Sequence, residues 1–263
     1  MAALLGRFGR GGAVVEEGPQ GLLVKAYLPV DRALPKKKEE LYTLLGHLSL
    51  IVPLKLEEEV LEEDWAVAWR AHFTPLHIGR LVIKPSWHNC TPGPGETVLE
   101  LDPGQAFGTG HHPTTRMCLL LLEKYLRPGM EVLDLGTGSG ILAIAAAKMG
   151  SGPVLAVDKD PIAVAAAQAN IRRNRMGARI EVRVGTLEPG MGPYDLILAN
   201  LLTPVLCEIA GLLAHALVPG GVLISSGVLL EQANSVAAEY SAAGLYLAEL
   251  PQESDWIALV ARR

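Results

Sequence analysis

From Pro128 onward, apolar and polar positions follow a strand–helix rhythm. Apolar runs at Glu131–Leu135, Val154–Asp158, Ile180–Val184, Asp195–Ala199 and Val222–Ser226 read as strands. Between and after them, helical spacing predicts helices over Ser139–Met149, Pro161–Met176, Pro204–Leu217 and Leu229–Ala243. In the third helix, Val205, Leu206, Ile209, Leu212, Leu213 and Leu217 fall on one side, and Pro219-Gly220-Gly221 stops it. Two last runs, Leu245–Leu250 and Trp256–Ala261, lie close enough to pair as an antiparallel hairpin. Strands alternating with helices predict a parallel sheet with right-handed crossovers, here carrying a final antiparallel strand.

The first part of the chain has shorter, mixed elements. Leu22–Leu28, bounded by Gly21 and Pro29, reads as a strand. Pro35 opens a helix whose Leu41, Leu44, Leu45 and Leu48 share a face. Leu50–Leu56 is a second candidate strand, with Pro53 placing it at an edge. Glu57–Phe73 is helical by composition and aligns Trp65, Trp69 and Phe73. It reads as a linker helix that packs this stripe on a domain; the sharper reading is that its acidic residues, Glu57–Glu59 and Glu62–Asp64, meet a basic partner.

The chain's 263 residues accommodate one large domain or one full domain plus a small one. With 49% hydrophobic and 19% charged residues, a packed core is expected rather than disorder. The longest apolar run, Ile141–Ala147, falls short of the roughly 20 residues of a membrane span. The opening Met-Ala-Ala-Leu-Leu-Gly-Arg is too short an apolar stretch for a signal sequence, so no membrane association and a cytoplasmic location are expected. Cys90, Cys118 and Cys207 lie far apart and compose neither a disulfide framework nor a metal set; each reads as a small buried hydrophobe. A net charge of −5 disfavours non-specific nucleic-acid binding and suits a basic protein or a small molecule. No direct sequence-specific nucleic-acid binding is expected.

The strongest chemical signal is Asp134-Leu135-Gly136-Thr137-Gly138-Ser139-Gly140, between a strand and a helix. Glycines there permit a sharp turn and close backbone approach to a ligand. The spacing Gly136, Gly138, Gly140 is not that of the dinucleotide fingerprint, and an acid precedes it. S-adenosylmethionine (SAM) lacks a pyrophosphate and has a cationic amine that Asp134 could help hold, directly or through water; the alternatives are another ligand or a glycine turn with none. Asp158, at the end of the next strand, is placed to accept hydrogen bonds from ribose hydroxyls, while Asp160, beside Pro161, suits the helix cap. Asn200 ends a later strand, where ligands of open α/β sheets sit, and its amide is suited to position an amine or SAM's methionyl part. Thr203 reads as the cap of the following helix.

One further stretch, Leu101-Asp102-Pro103-Gly104-Gln105-Ala106-Phe107-Gly108-Thr109-Gly110-His111-His112-Pro113-Thr114-Thr115, closely resembles the signature of the PrmA family, the methyltransferases of ribosomal protein L11. The likeness extends through Asp64-Trp65, Ile83-Lys84-Pro85-Ser86-Trp87, the Asp134–Gly140 loop and Ala199-Asn200-Leu201, and covers roughly residues 20–263. It implies a small N-terminal α+β, ferredoxin-like domain (residues 1–56) that recognises ribosomal protein L11. A linker helix (57–75) and a Rossmann-like, seven-stranded, SAM-dependent methyltransferase domain (76–263) would follow. SAM-binding roles carry over to Thr115, Gly136, Asp158 and Asn200, beside the loop residues Asp134, Gly138 and Gly140. Phe107 and the Gly108-Thr109-Gly110 turn would cover the cofactor and approach the substrate amine; for His111 and His112 a capping or surface role and contact with the site both stand. One departure is visible: Ala2–Gly6 runs almost at once into Gly11-Gly12-Ala13-Val14-Val15. The family's first strand and much of its first helix have no counterpart, which would follow from a shortened small sheet or from a wrongly assigned start.

The expected reaction is attack of a neutral lysine or α-amine on the SAM methyl group, with Asn200 and the Phe107 loop orienting the amine. Rival readings are methylation of another protein or a small amine, and a SAM-fold module that binds without catalysis.

Overall fold

The computed structural model describes residues 13–18, 21–26, 34–49, 74–102 and 108–263. Two compact units partition the chain, Met1–Asp64 and Trp65–Arg263. In the first, β1 (Ala13–Gly18) and β2 (Gly21–Ala26) form an antiparallel pair and α1 covers Leu34–Ser49. This is the α+β content expected, with the helix opening beside Pro35. The expected strand Leu50–Leu56 and helix Glu57–Phe73, with the Trp65, Trp69 and Phe73 stripe, lie outside the described residues.

The second unit opens with a three-stranded sheet, β3 (Leu76–Ile78), β4 (Leu81–Lys84) and β5 (Thr97–Glu100). β3 and β4 form a hairpin, whereas β5 returns parallel to β4. After α2 (Pro113–Tyr125), strands and helices alternate: β6 (Val132–Leu135), α3 (Ile141–Lys148), β7 (Val154–Asp158), α4 (Pro161–Arg173), β8 (Ile180–Val184) and β9 (Tyr194–Asn200). Then come α5 (Thr203–Glu208), α6 (Ala210–Ala216), β10 (Leu217–Leu229), a single 3₁₀ turn (Leu230–Gln232), α7 (Ala233–Ala242), β11 (Tyr246–Glu249), β12 (Gln252–Glu253) and β13 (Trp256–Arg262).

These strands form one sheet in the order β11-β13-β10-β9-β6-β7-β8, with β12 paired to β13. The seven expected strands are present, and the two-residue β12 makes an eighth. β6 through β10 pair in parallel, and β13 runs antiparallel to both its neighbours. The expected terminal hairpin is thus the β11–β13 pairing.

Alternation along each strand explains the layers. Leu196 and Leu198 of β9, Val222 and Ile224 of β10, and Val260 of β13 face a core shared with α2, α3, α4 and the small sheet. Ile197, Leu223 and Leu259, one residue out of phase, face a second core with α5, α6 and α7. A sheet covered on both faces needs apolar side chains in both phases, hence the continuous apolar runs in the sequence. Helix α3 is buried from Ile141 to Ala147, which its small alanines permit.

The expected helix Pro204–Leu217 is two helices, broken at Ile209 (φ −99°, ψ 8°). Thr203 does not cap it: Leu202 occupies that position without a side-chain bond, and the Thr203 hydroxyl lies 2.7 Å from Gln232 Oε1 as donor. Of the cysteines, Cys118 is buried as expected, while Cys90 and Cys207 are only partly so. No helix of the described residues is long and apolar enough to cross a membrane.

Candidate functional site

Glycine backbones shape the loop after β6. Gly136, Gly138 and Gly140 have φ of 73°, 55° and 83°, the left-handed region that side chains disfavour. Gly140 is the N-cap of α3, and a Cβ there would lie 3.2 Å from Ala167 Cβ, so the glycine also lets α4 pack closely. Gly140 supplies no side-chain cap to α3. The bond comes instead from Asp134 in β6, whose Oδ2 accepts from the Ala143 amide at 3.1 Å and the Thr137 hydroxyl at 2.6 Å. One carboxylate oxygen thereby closes the loop onto the first turn of the helix, where a negative charge is also favoured by the helix dipole.

Asp134 is fully buried, and its other oxygen, Oδ1, has no hydrogen-bond partner among the described residues. Burial pushes its pKa up to about 6, against the lowering effect of the Thr137 and Ala143 bonds, with the Asp158 charge raising it further. Cys118 of α2 feels the same group: burial raises its thiol pKa, and the Asp134 charge adds to this.

Asp158 ends β7. Its Oδ2 accepts from the Gly138 amide at 2.9 Å and its Oδ1 from the Asp160 amide at 3.0 Å. Asp160 takes the α4 cap, accepting from the Ile162 amide at 2.8 Å, with Pro161 starting the helix. A carboxylate has about four acceptor sites, so two remain on Asp158 for donors from outside the fold.

Asn200 ends β9, and Thr115 lies in the first turn of α2. The Asn200 amide donates to the Thr115 hydroxyl at 3.3 Å, joining residues far apart in the chain. His112 begins α2 as its N-cap, accepting from the Thr114 amide through Nδ1, and its ring lies edge-on to Trp256 with centroids 4.9 Å apart. His111 is exposed.

Phe107 lies outside the described residues, but both flanks of residues 103–107 are anchored. On one side, Asp102 accepts from the Ser86 amide at 2.7 Å and pairs with Arg173 at 2.9 Å. On the other, the Ser139 hydroxyl donates to the Gly108 carbonyl at 2.6 Å, and Asn170 donates to the Ser139 carbonyl at 2.9 Å. These pins were not singled out in the sequence. A polar Asn170 among the buried positions of α4 is the one signal that could have found them.

The ends of β6, β7 and β9 thus bring together the glycine loop, Asp158 and the Thr115–Asn200 pair, where an open α/β sheet binds ligands. The sequence profile of the family described as ribosomal protein L11 methyltransferase (PrmA) matches residues 12–263. The chain belongs to this family. It is 44% identical over 306 aligned residues to the ribosomal protein L11 methyltransferase of Chloroflexus aurantiacus, covering 100% of this chain and 93% of that one. The enzyme of the same name from Pelotomaculum thermopropionicum is 47% identical over 243 residues, 91% of this chain and 79% of that protein. Among solved structures, the ribosomal protein L11 methylase of Lactobacillus delbrueckii subsp. bulgaricus superposes with a TM-score of 0.66 at 32% identity, covering 71% of this chain and 96% of that one. This PrmA-family chain is a methyltransferase of the doubly wound α/β class, and every candidate residue lies within the matched span.

Proposed function

We propose that this PrmA-family protein transfers methyl groups from SAM to lysine or α-amino groups of ribosomal protein L11. The carrying observation is that a chain of this family gathers the glycine loop, Asp158 and the Thr115–Asn200 pair at one end of its sheet. Two features fit SAM. Asp158 has acceptor capacity left for ribose hydroxyls, and the Asp134 carboxylate, with Oδ1 unpartnered among the described residues, favours a cationic ligand end at the loop.

In this reading Asp158 holds the ribose, Gly136, Gly138 and Gly140 let the backbone approach, and Thr115 and Asn200 hold the methionyl end. When bound, SAM supplies an electrophilic methyl group on its sulfonium. Asn200 orients the incoming amine, and Phe107 with the Gly108–Gly110 turn covers the site and excludes water. A lysine has a pKa of about 10.4, so a low-dielectric site that lowers it makes the neutral nucleophile available. SAM held there would supply its methyl group to that nitrogen and leave as S-adenosylhomocysteine, the proton lost by the lysine passing to solvent. Proximity, orientation and desolvation supply the acceleration.

Residues 1–56 act as the substrate-recognition domain, 57–75 as the linker helix and 76–263 as the catalytic domain, in the cytoplasm where ribosomal proteins are found. The test is mass spectrometry of purified L11 incubated with this protein and SAM. Gains in methyl units on lysines or the α-amine support the proposal, and an unchanged mass with SAM bound overturns the substrate.

A further inference from the structure

Three loops beyond the sheet's C-terminal edge are stitched together beside Asn200. The Leu201 amide donates to the Ser226 carbonyl at 3.0 Å, Thr203 bonds Gln232 at 2.7 Å, and the Leu230 amide donates to the Asp255 carbonyl at 2.9 Å. Gly227 makes the closest joint: with φ +87°, its missing Cβ would lie 2.3 Å from the Leu201 carbonyl oxygen. On this joined lip two large apolar side chains face solvent, Leu202 at 68% exposure and Leu230 at 49%. Leu202 is two residues from Asn200, in a domain whose other leucines are mostly buried.

The stretch of chain that builds the lip is acidic in sequence. Between Arg183 and Arg262 the chain has no Lys or Arg, but eight acidic residues: Glu188, Asp195, Glu208, Glu231, Glu239, Glu249, Glu253 and Asp255. Two of these are engaged by bases from α2, Glu249 by Lys124 and Glu253 by Arg116. Glu231 and Asp255, on the lip itself, are exposed. Bases cluster in the other half of the domain, with Arg172, Arg173, Arg175, Arg179 and Arg183 on and after α4.

We infer that the lip of Leu202, Leu230, Glu231 and Asp255 receives the lysine-bearing segment of the substrate protein. This rests on the proposed activity and adds a docking surface on the catalytic domain itself. The two leucines pack along aliphatic lysine stems, and the carboxylates meet ammonium groups near but outside the reaction centre. Held there, a basic segment passes its lysines across Asn200, and neighbouring lysines bind while one reacts.

The experiment is steady-state methylation of purified L11 by the full-length protein, with SAM affinity measured separately by calorimetry. Exposed leucines are replaceable without touching the core, so Leu202→Ser/Leu230→Ser is expected to fold. Its KM for L11 should rise roughly tenfold, about the loss of one buried side chain, with kcat and SAM affinity little changed. Leu202→Met/Leu230→Met should restore KM. Glu231→Lys/Asp255→Lys should lower kcat/KM and flatten its dependence on salt. KM and salt dependence matching wild type in both the serine and lysine variants would overturn the lip. Absence of wild-type turnover on L11, with SAM bound, would instead overturn the activity on which the lip's partner rests.

Discussion

The Asp158 carboxylate bonds the Gly138 amide at 2.9 Å, so the acid proposed to hold ribose also latches the glycine loop. Asp158→Asn and Asp158→Ala separate these roles. Asn keeps a carbonyl acceptor but loses the charge; Ala loses both. A hydrogen bond to a charged group contributes about 1.5–3 kcal/mol. Asp158→Asn is therefore expected to raise the Kd for SAM roughly ten- to a hundredfold by calorimetry and, because its amide nitrogen must face either the Gly138 or the Asp160 amide, to lower the thermal midpoint modestly. Asp158→Ala, which loses both backbone bonds, should lower the midpoint further. Wild-type SAM affinity in Asp158→Asn would remove the residue from the ribose role.

Asn200 and Thr115 are coupled by their 3.3 Å bond, and the Thr115 hydroxyl is almost wholly buried. If the two act as a unit on SAM, their single substitutions overlap. A double-mutant cycle with Thr115→Val and Asn200→Ala should give a coupling of about 0.5–3 kcal/mol in SAM binding. Each single variant should weaken binding at least about tenfold. Strict additivity would mean that the pair contacts SAM independently or not at all.

The sheet was legible because its strands are buried on both faces. A run such as Leu196–Ala199 is apolar in both phases and cannot be mistaken for a loop. The small sheet was not read: β3, β4 and β5 have only three or four residues each, and the parallel β4–β5 pairing is separated by a Pro/Gly-rich stretch. Helix α2 escaped because Met117, Cys118 and Leu119–Leu122 form a block rather than a stripe, although Pro113 after His112 was a start signal. The break at Ile209 and the failure of Thr203 as a cap are tertiary effects, since the Thr203 hydroxyl finds Gln232 instead. At the site, Asp134 was recognisable as an acid by the glycine loop. Its depth, its bond to Ala143 and its unpartnered oxygen depend on α2, α3 and β6 closing around it, which spacing does not encode.

Gly227 allows a sharp test of how the Asn200 loop is held. Its φ of +87° disfavours any side chain, and a Cβ would overlap the Leu201 carbonyl, a backbone atom that has no rotamer to yield. Gly227→Ala is expected to destabilise the protein by about 2–4 kcal/mol in urea unfolding, combining left-handed strain with overpacking. Because Leu201 adjoins Asn200, methyl transfer should fall more than the loss of folded protein explains. A change within about 0.5 kcal/mol would mean that the β9 and β10 loops are not rigidly joined.

Asp134 predicts an unusual pH dependence of stability. Its carboxyl is pushed up to about 6 by burial, whereas in the unfolded chain it titrates near the ordinary 3.8. Below about pH 4 both states hold the proton, and above about pH 6 neither does. Between these limits the folded state alone binds it, so stability must fall as pH rises. The two-unit difference corresponds to about 3 kcal/mol at most. Other carboxylates oppose the trend, since Lys124 holds Glu249 below its ordinary value and Arg183 does the same for Glu181. The signal is therefore the difference between wild type and Asp134→Asn, measured by urea unfolding from pH 4 to pH 8. Relative to the variant, wild type should lose stability from pH 4 to about 6 and stay level above it. A difference independent of pH would mean that Asp134 ionises in the fold as it does in water.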